Sequence, residues 1–148
     1  MQSRPLMSFP SMTSPPSSTT IGSTTAGNLI SGNSGTGIDV LYEGLLTILG
    51  NRIGTTADGT AALANQGRGI WVRSTWNGAV IGGGDHDAWT CNRACSLVAG
   101  NTSYGLQLAN SQHGPHLVKG NFIGTNLAGS IARPNGAGGV AVQAPAEI

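Results

Sequence analysis

The chain has little charge, no long apolar run and almost no cysteine, and each shortage closes off a class of protein. Only 9% of its 148 residues are charged, its seven Lys and Arg are scattered, and its formal net charge is +1. A nucleic-acid surface needs basic side chains gathered in a stripe, so no nucleic-acid partner is expected. No apolar stretch approaches the roughly 20 residues that a membrane-spanning helix requires, so no membrane span is expected either. Cys91 and Cys95 are the only cysteines, and no Ser-His-Asp or Cys-His arrangement has a spacing useful for nucleophilic catalysis. Acids are equally sparse: Asp39, Glu43, Asp58, Asp85, Asp87 and Glu147 are the whole set.

Glycine is the opposite case, with 24 residues, and it punctuates a repeat. GNRIGTTADGTAALANQGRGIWV, Gly50 to Val72, returns as GNFIGTNLAGSIARPNGAGGVAV, Gly120 to Val142, at an offset of 70. Ahead of these copies ISGNSGTGIDV, Ile30 to Val40, matches VAGNTSYGLQL, Val98 to Leu108, at an offset of 68. Ile21-Gly22 and Ile81-Gly82-Gly83 stand before those segments in turn. A fixed internal period dictates architecture before local propensity does.

Within a unit, the Gly-Asn asparagines step by 18 residues from Asn33 to Asn51 and by 20 from Asn101 to Asn121, which suggests one coil per step. Ile38-Asp39-Val40, Ile70-Trp71-Val72, Leu106-Gln107-Leu108 and Val140-Ala141-Val142 each follow a glycine and alternate apolar, variable, apolar. That pattern reads as short strands with one face inward. Coils this small bury nothing alone and must stack on one another. The expected fold is all-β, a single-stranded parallel β-helix of about five short coils rising about 24 Å at roughly 4.8 Å per coil.

GNLISGN, GNRIGTTADGTAALAN and Val80-Ile81-Gly82-Gly83 resemble the right-handed parallel β-helix repeats of large bacterial secreted and surface proteins, whose fold is related to that of pectate lyases. The resemblance covers Ile21 to Val142 and lies in corner and core residues, so it implies fold far more than activity. Copies in that family often carry Asp after Ile-Gly-Thr, where this chain has Thr56 and Asn126. The resemblance implies a right-handed coil, an extracellular or cell-surface location, and flanking β-helix coils in a longer chain. Residues 1–20 read as a disordered Ser/Thr/Pro-rich segment, broken by Pro5, Pro10, Pro15 and Pro16 and lacking the apolar core of a secretory signal. Residues 21–148 are expected to form the repeat domain, a fragment of a longer one, with both end coils exposing edges that favour end-to-end self-association.

Alternation assigns the interior. Ile30, Ile48, Val98 and Val118 each stand three residues before a Gly-Asn asparagine and are expected to form one core column, with Ile38, Ile70, Leu106 and Val140 forming another. Asn33, Asn51, Asn101 and Asn121 are expected at one recurring corner, where stacked amides bond along the axis. Between the inward positions, Asp39, Trp71, Gln107 and Ala141 fall in one outward column, with Arg73 and Trp76 close behind. Trp71, Gln107 and Trp76 are therefore the candidate ligand-binding residues, an indole face stacking on a pyranose while polar neighbours take its hydroxyls. The alternative is that Trp71 and Trp76 pack under a loop such as Asp58 to Gln66.

In the least repetitive stretch, Gly82 to Asn101, a local Cys91–Cys95 disulfide suits an exported fold. Free thiols, or a zinc site from His86, Cys91, Cys95 and His113 or His116, are the competing readings. Asp85 and Asp87 would supply two carboxylates to a Ca²⁺ site, too few for an ion that takes six to eight oxygens. The resulting expectation is a structural or carbohydrate-binding repeat module, with a polysaccharide as its partner and no resident metal or cofactor. The alternative is a polysaccharide lyase or glycosidase, for which Asp85, Asp87, Asp39 and Arg73 are the first catalytic candidates.

Overall fold

The computed structural model describes residues 18–84, 90–143 and 146–148. These residues form thirteen strands and no helix. The chain visits three sheets in fixed rotation. The first circuit is β1 (Ser18–Ile21), β2 (Leu29–Ile30) and β3 (Ile38–Val40), and the second is β4 (Leu45–Ile48), β5 (Arg52–Ile53) and β6 (Ile70–Thr75). The third is β7 (Ala79–Gly82), β8 (Leu97–Val98) and β9 (Tyr104–Ser111), and the fourth is β10 (His116–Lys119), β11 (Phe122–Ile123) and β12 (Gly138–Val142). β13 (Ala146–Glu147) returns to the first sheet. Every named strand pairing is parallel, and the sheets run β1-β4-β7-β10-β13, β2-β5-β8-β11 and β3-β6-β9-β12. This arrangement is consistent with a parallel β-helix.

The circuit is longer than the sequence spacing suggested. Register partners Leu46 and Ala79 are 33 residues apart, and Val80 and Leu117 are 37 apart. Two successive circuits thus make up the 70-residue repeat. The 18- and 20-residue steps between Gly-Asn motifs are partial turns, because Asn33 and Asn101 lie between the second and third sheets whereas Asn51 and Asn121 lie between the first and second.

The same correction divides one expected core column. Ile48 stacks between Ile21 and Ile81, with Val118 beyond, in the first sheet; Ile30 stacks on Ile53, Val98 and Ile123 in the second. The phrase apolar-x-Gly-Asn serves two corners, and sequence alone does not tell them apart. The column Ile38, Ile70, Leu106 and Val140 is as expected. Ile48, Ile53, Ile70, Ile81, Val98 and Leu106 are fully buried, and each such side chain contributes about 1.5–3 kcal/mol of transfer free energy.

The corner asparagines likewise form two ladders. Before the second sheet, Asn28 Nδ2 donates to Asn51 Oδ1 (3.0 Å), the Asn51 N–H to Ser96 Oγ (3.3 Å) and the Ser96 N–H to Asn121 Oδ1 (3.1 Å). Before the third sheet, Asn33 Nδ2 donates to Asn65 Oδ1 (2.8 Å), Asn65 Nδ2 to Asn101 Oδ1 (2.8 Å) and Asn101 Nδ2 to Asn135 Oδ1 (2.9 Å). Asn51, Asn65, Asn101 and Asn135 are buried, so these amides satisfy one another and the corner carbonyls where water has no access.

Ser18, Thr19 and Thr20, placed by sequence in the disordered segment, belong to β1. The β-branched run Thr19-Thr20-Ile21 suits a strand, β4 supplies its backbone partners, and Thr19 Oγ1 donates to Glu43 Oε1 (2.9 Å). The rest of that expected segment lies outside the described residues.

Candidate functional site

The third sheet holds Asp39, Trp71, Gln107 and Ala141 in one outward row, since Asp39 pairs with Trp71, Trp71 with Gln107, and Gln107 with Ala141. Arg73 is the next outward residue on β6. It forms a two-pronged contact with Asp39 across the circuits, Nε to Oδ1 at 2.8 Å and Nη2 to Oδ2 at 2.7 Å. Those hydrogen bonds hold the Asp39 carboxyl below its ordinary range and raise the Arg73 guanidinium.

Arg68 enters from the corner ahead of β6, and its Nε donates to Gln107 Oε1. Its guanidinium carbon lies 4.0 Å from the Trp71 ring centroid, and that of Arg73 lies 3.6 Å away. A carbon so close to a ring centre stands above the ring plane, and two guanidinium groups do not fit over one face. The indole is therefore held between them, in the geometry that cation–π attraction favours. Trp71 Nε1 is buried and has no hydrogen-bond partner among the described residues.

This geometry changes the character of the expected sugar strip. Neither indole face is open for pyranose stacking, and Gln107 is only 8% exposed beneath Arg68. The surface instead offers two guanidinium groups and one carboxylate, a local excess of one positive charge. Trp76 stacks on His113, with centroids 4.2 Å apart and planes at 34°. Sequence reasoning missed Arg68, because a residue three positions before Trp71 does not share its face in a strand; it reaches the ring only because it sits in the corner.

Of the catalytic candidates, Asp39 and Arg73 are brought together, each as the other's partner. Asp85 and Asp87 lie outside the described residues, as does His86. Asp58 belongs to the loop between β5 and β6, where the Thr56 hydroxyl and the Thr60 N–H both donate to it and hold its carboxyl at about 2. Among the described residues, no three His, Cys, Asp or Glu side chains gather where a metal ion could be held. His116 is buried, with Nδ1 accepting from the Ala79 N–H (3.0 Å) and Nε2 3.0 Å from Ala109 O.

Cys91 and Cys95 form a disulfide with Cα atoms 5.1 Å apart, a normal span for such a bond. They pack with Leu97, Ala99, Phe122 and Leu127 in a small apolar cluster outside the main core. Beside them lies an open cleft of about 410 Å³, whose lining includes Asn28, Asn51, Arg52, Arg93 and Leu127. Arg93 is the one described non-glycine residue with positive φ, 51°. Arg52 Nη1 donates to Ala57 O, which ties one wall to the neighbouring loop.

No protein-family model, curated protein or solved structure matches the chain. The resemblance to bacterial β-helix repeats rests on the residues quoted for it.

Proposed function

We propose that the chain is a right-handed parallel β-helix repeat module of a secreted or cell-surface bacterial protein, structural in its core and carbohydrate-binding on its third sheet. The right hand follows from the strong bias of parallel strand–crossover–strand connections, and the disulfide favours an oxidising compartment. The observation that carries the binding reading is the Arg68–Trp71–Arg73 pile beside Asp39 and Gln107 on an outer sheet face. The two-pronged edge of Arg73 is taken by Asp39, whereas Arg68 spends its Nε on Gln107 and its terminal amino groups, with the local net charge of +1, suit a ligand carboxylate, so the favoured ligand is an acidic polysaccharide rather than a neutral one. The lyase or glycosidase reading has less support, because Asp39 and Arg73 neutralise one another instead of facing a bond to be cleaved.

The test is retention on polyuronate and neutral glucan matrices over a range of salt. Salt-sensitive retention on polyuronate, reduced tenfold or more in Arg68→Ala and Arg73→Ala, is the expected result. Retention of both variants equal to wild type, or no retention on either matrix, would remove the binding role of the third sheet and leave a structural module, and retention on neutral glucan alone would overturn the acidic ligand.

A further inference from the structure

The two ends of the stack carry complementary halves of one interface, and we propose that a second copy of this chain docks there head to tail, its first circuit on the fourth circuit of its neighbour. The inference stands on backbone register and the asparagine ladder and is independent of sugar binding.

Circuits of two kinds alternate. The first and third share the Ile30–Val40 and Val98–Leu108 phrase, and the second and fourth share the Gly50–Val72 and Gly120–Val142 phrase. A first circuit laid on a fourth is therefore the junction the chain already makes between its second and third. In that junction Ile53 stacks on Val98, Ile70 on Leu106 and Val72 on Leu108. The docked equivalents are Ile123 on Ile30, Val140 on Ile38 and Val142 on Val40. Ile30, Ile123 and Val140 are only partly buried in the single chain, and Val142 is 41% exposed.

The ladder gives the direction. At each internal step the lower asparagine donates through Nδ2 to the Oδ1 of the one above, and Asn65 and Asn135 each donate also to a carbonyl of the preceding circuit, Ile30 O and Val98 O. Asn65 uses its other amide hydrogen on Asn101, and Asn135 has no such recipient among the described residues. Asn33 donates to Asn65, while its own Oδ1 has no donor among them. Asn135 of one copy and Asn33 of the next complete each other. β13 pairs with β10 and occupies the first-sheet position that an incoming β1 would take, so docking runs through the second and third sheets and competes with β13 at the first.

Because the surfaces differ, the contact is heterologous and open-ended rather than a closed dimer. The test is sedimentation velocity of the full chain across a hundredfold concentration range, alone and as end variants Ile30→Lys and Val140→Lys, with Val142→Lys as a milder last-circuit variant should Val140→Lys fail to fold. Wild type is expected to form a concentration-dependent series beyond dimer. Each folded variant alone should remain monomeric, and an equimolar mixture of a first-circuit and a last-circuit variant should yield dimer and nothing larger, through the one intact pair of ends. A wild-type monomer at every concentration, or variants that associate as wild type does, would overturn the proposal.

Discussion

Asn65 and Asn101 share a 2.8 Å side-chain hydrogen bond across two stacked circuits, both fully shielded from solvent. Each is five residues ahead of a core residue of the third sheet, Ile70 or Leu106, and Asn33 and Asn135 hold the same position before Ile38 and Val140. The ladder and the core column thus repeat together.

Truncating the middle of that ladder should cost far more than truncating its end. Asn101→Ala removes both side-chain bonds of the rung: one buried amide hydrogen of Asn65 is stranded while the other stays on Ile30 O, and Asn135 Oδ1 keeps only the residue-101 N–H, a loss of about 1–3 kcal/mol for the stranded donor. Asn33→Ala, at an exposed corner, should cost less than half as much. Urea unfolding of both variants at matched slope is the check.

Gly54→Ala should destabilise by more than about 1 kcal/mol. Gly54 has φ +84°, and an added Cβ would lie 2.3 Å from Ala99 O and 2.4 Å from Asn101 Oδ1. The substitution strains the backbone and pushes on the ladder at once. Gly35, with nothing within 4 Å of its would-be Cβ, is the control whose alanine variant should unfold like wild type.

Asp58 should titrate near pH 2 in the folded chain, because its carboxylate accepts from the Thr56 hydroxyl and the Thr60 N–H. A depressed folded value means that its contribution is present above the unfolded value of roughly 3.9 and disappears as pH falls through the folded one. Carbon-detected NMR titration reads this directly. Thr56→Val should move the midpoint up toward the ordinary range, and an unchanged midpoint would show that the hydroxyl is not the cause.

Reduction of Cys91–Cys95 should loosen a local patch and spare the circuits. Gly50 N–H donates to Ala94 O (3.2 Å) and Cys91 N–H to Leu127 O (3.2 Å), so these two amides should exchange faster after reduction. The core amides of β6 and β9 should keep their protection. Global unfolding on reduction would contradict this division between satellite cluster and main core.

Much of the fold was legible in the sequence, because the third sheet announces itself four times. Glycine followed by apolar-x-apolar marks β3, β6, β9 and β12 and fixes both their inward column and their outward row. What misled was economy of phrase. Leu49-Gly50 ahead of Asn51 and Ser31-Gly32 ahead of Asn33 look alike, yet one turns from first sheet to second and the other from second to third.

The ladder before the second sheet was also hard to read, since Ser96 replaces asparagine on one rung. Of the site, Asp39, Trp71 and Gln107 were visible as a row. Arg68 was not, because its contact with Trp71 depends on where a corner places a long side chain.

The proposed role of this chain is to bind an acidic polysaccharide without cutting it. The most direct measurement incubates the pure protein with polyuronate, with and without Ca²⁺, and reads complex formation and polymer length in the same sample. Complex formation with polymer length unchanged is the predicted result; shortened polymer, or no complex at low salt, would contradict it.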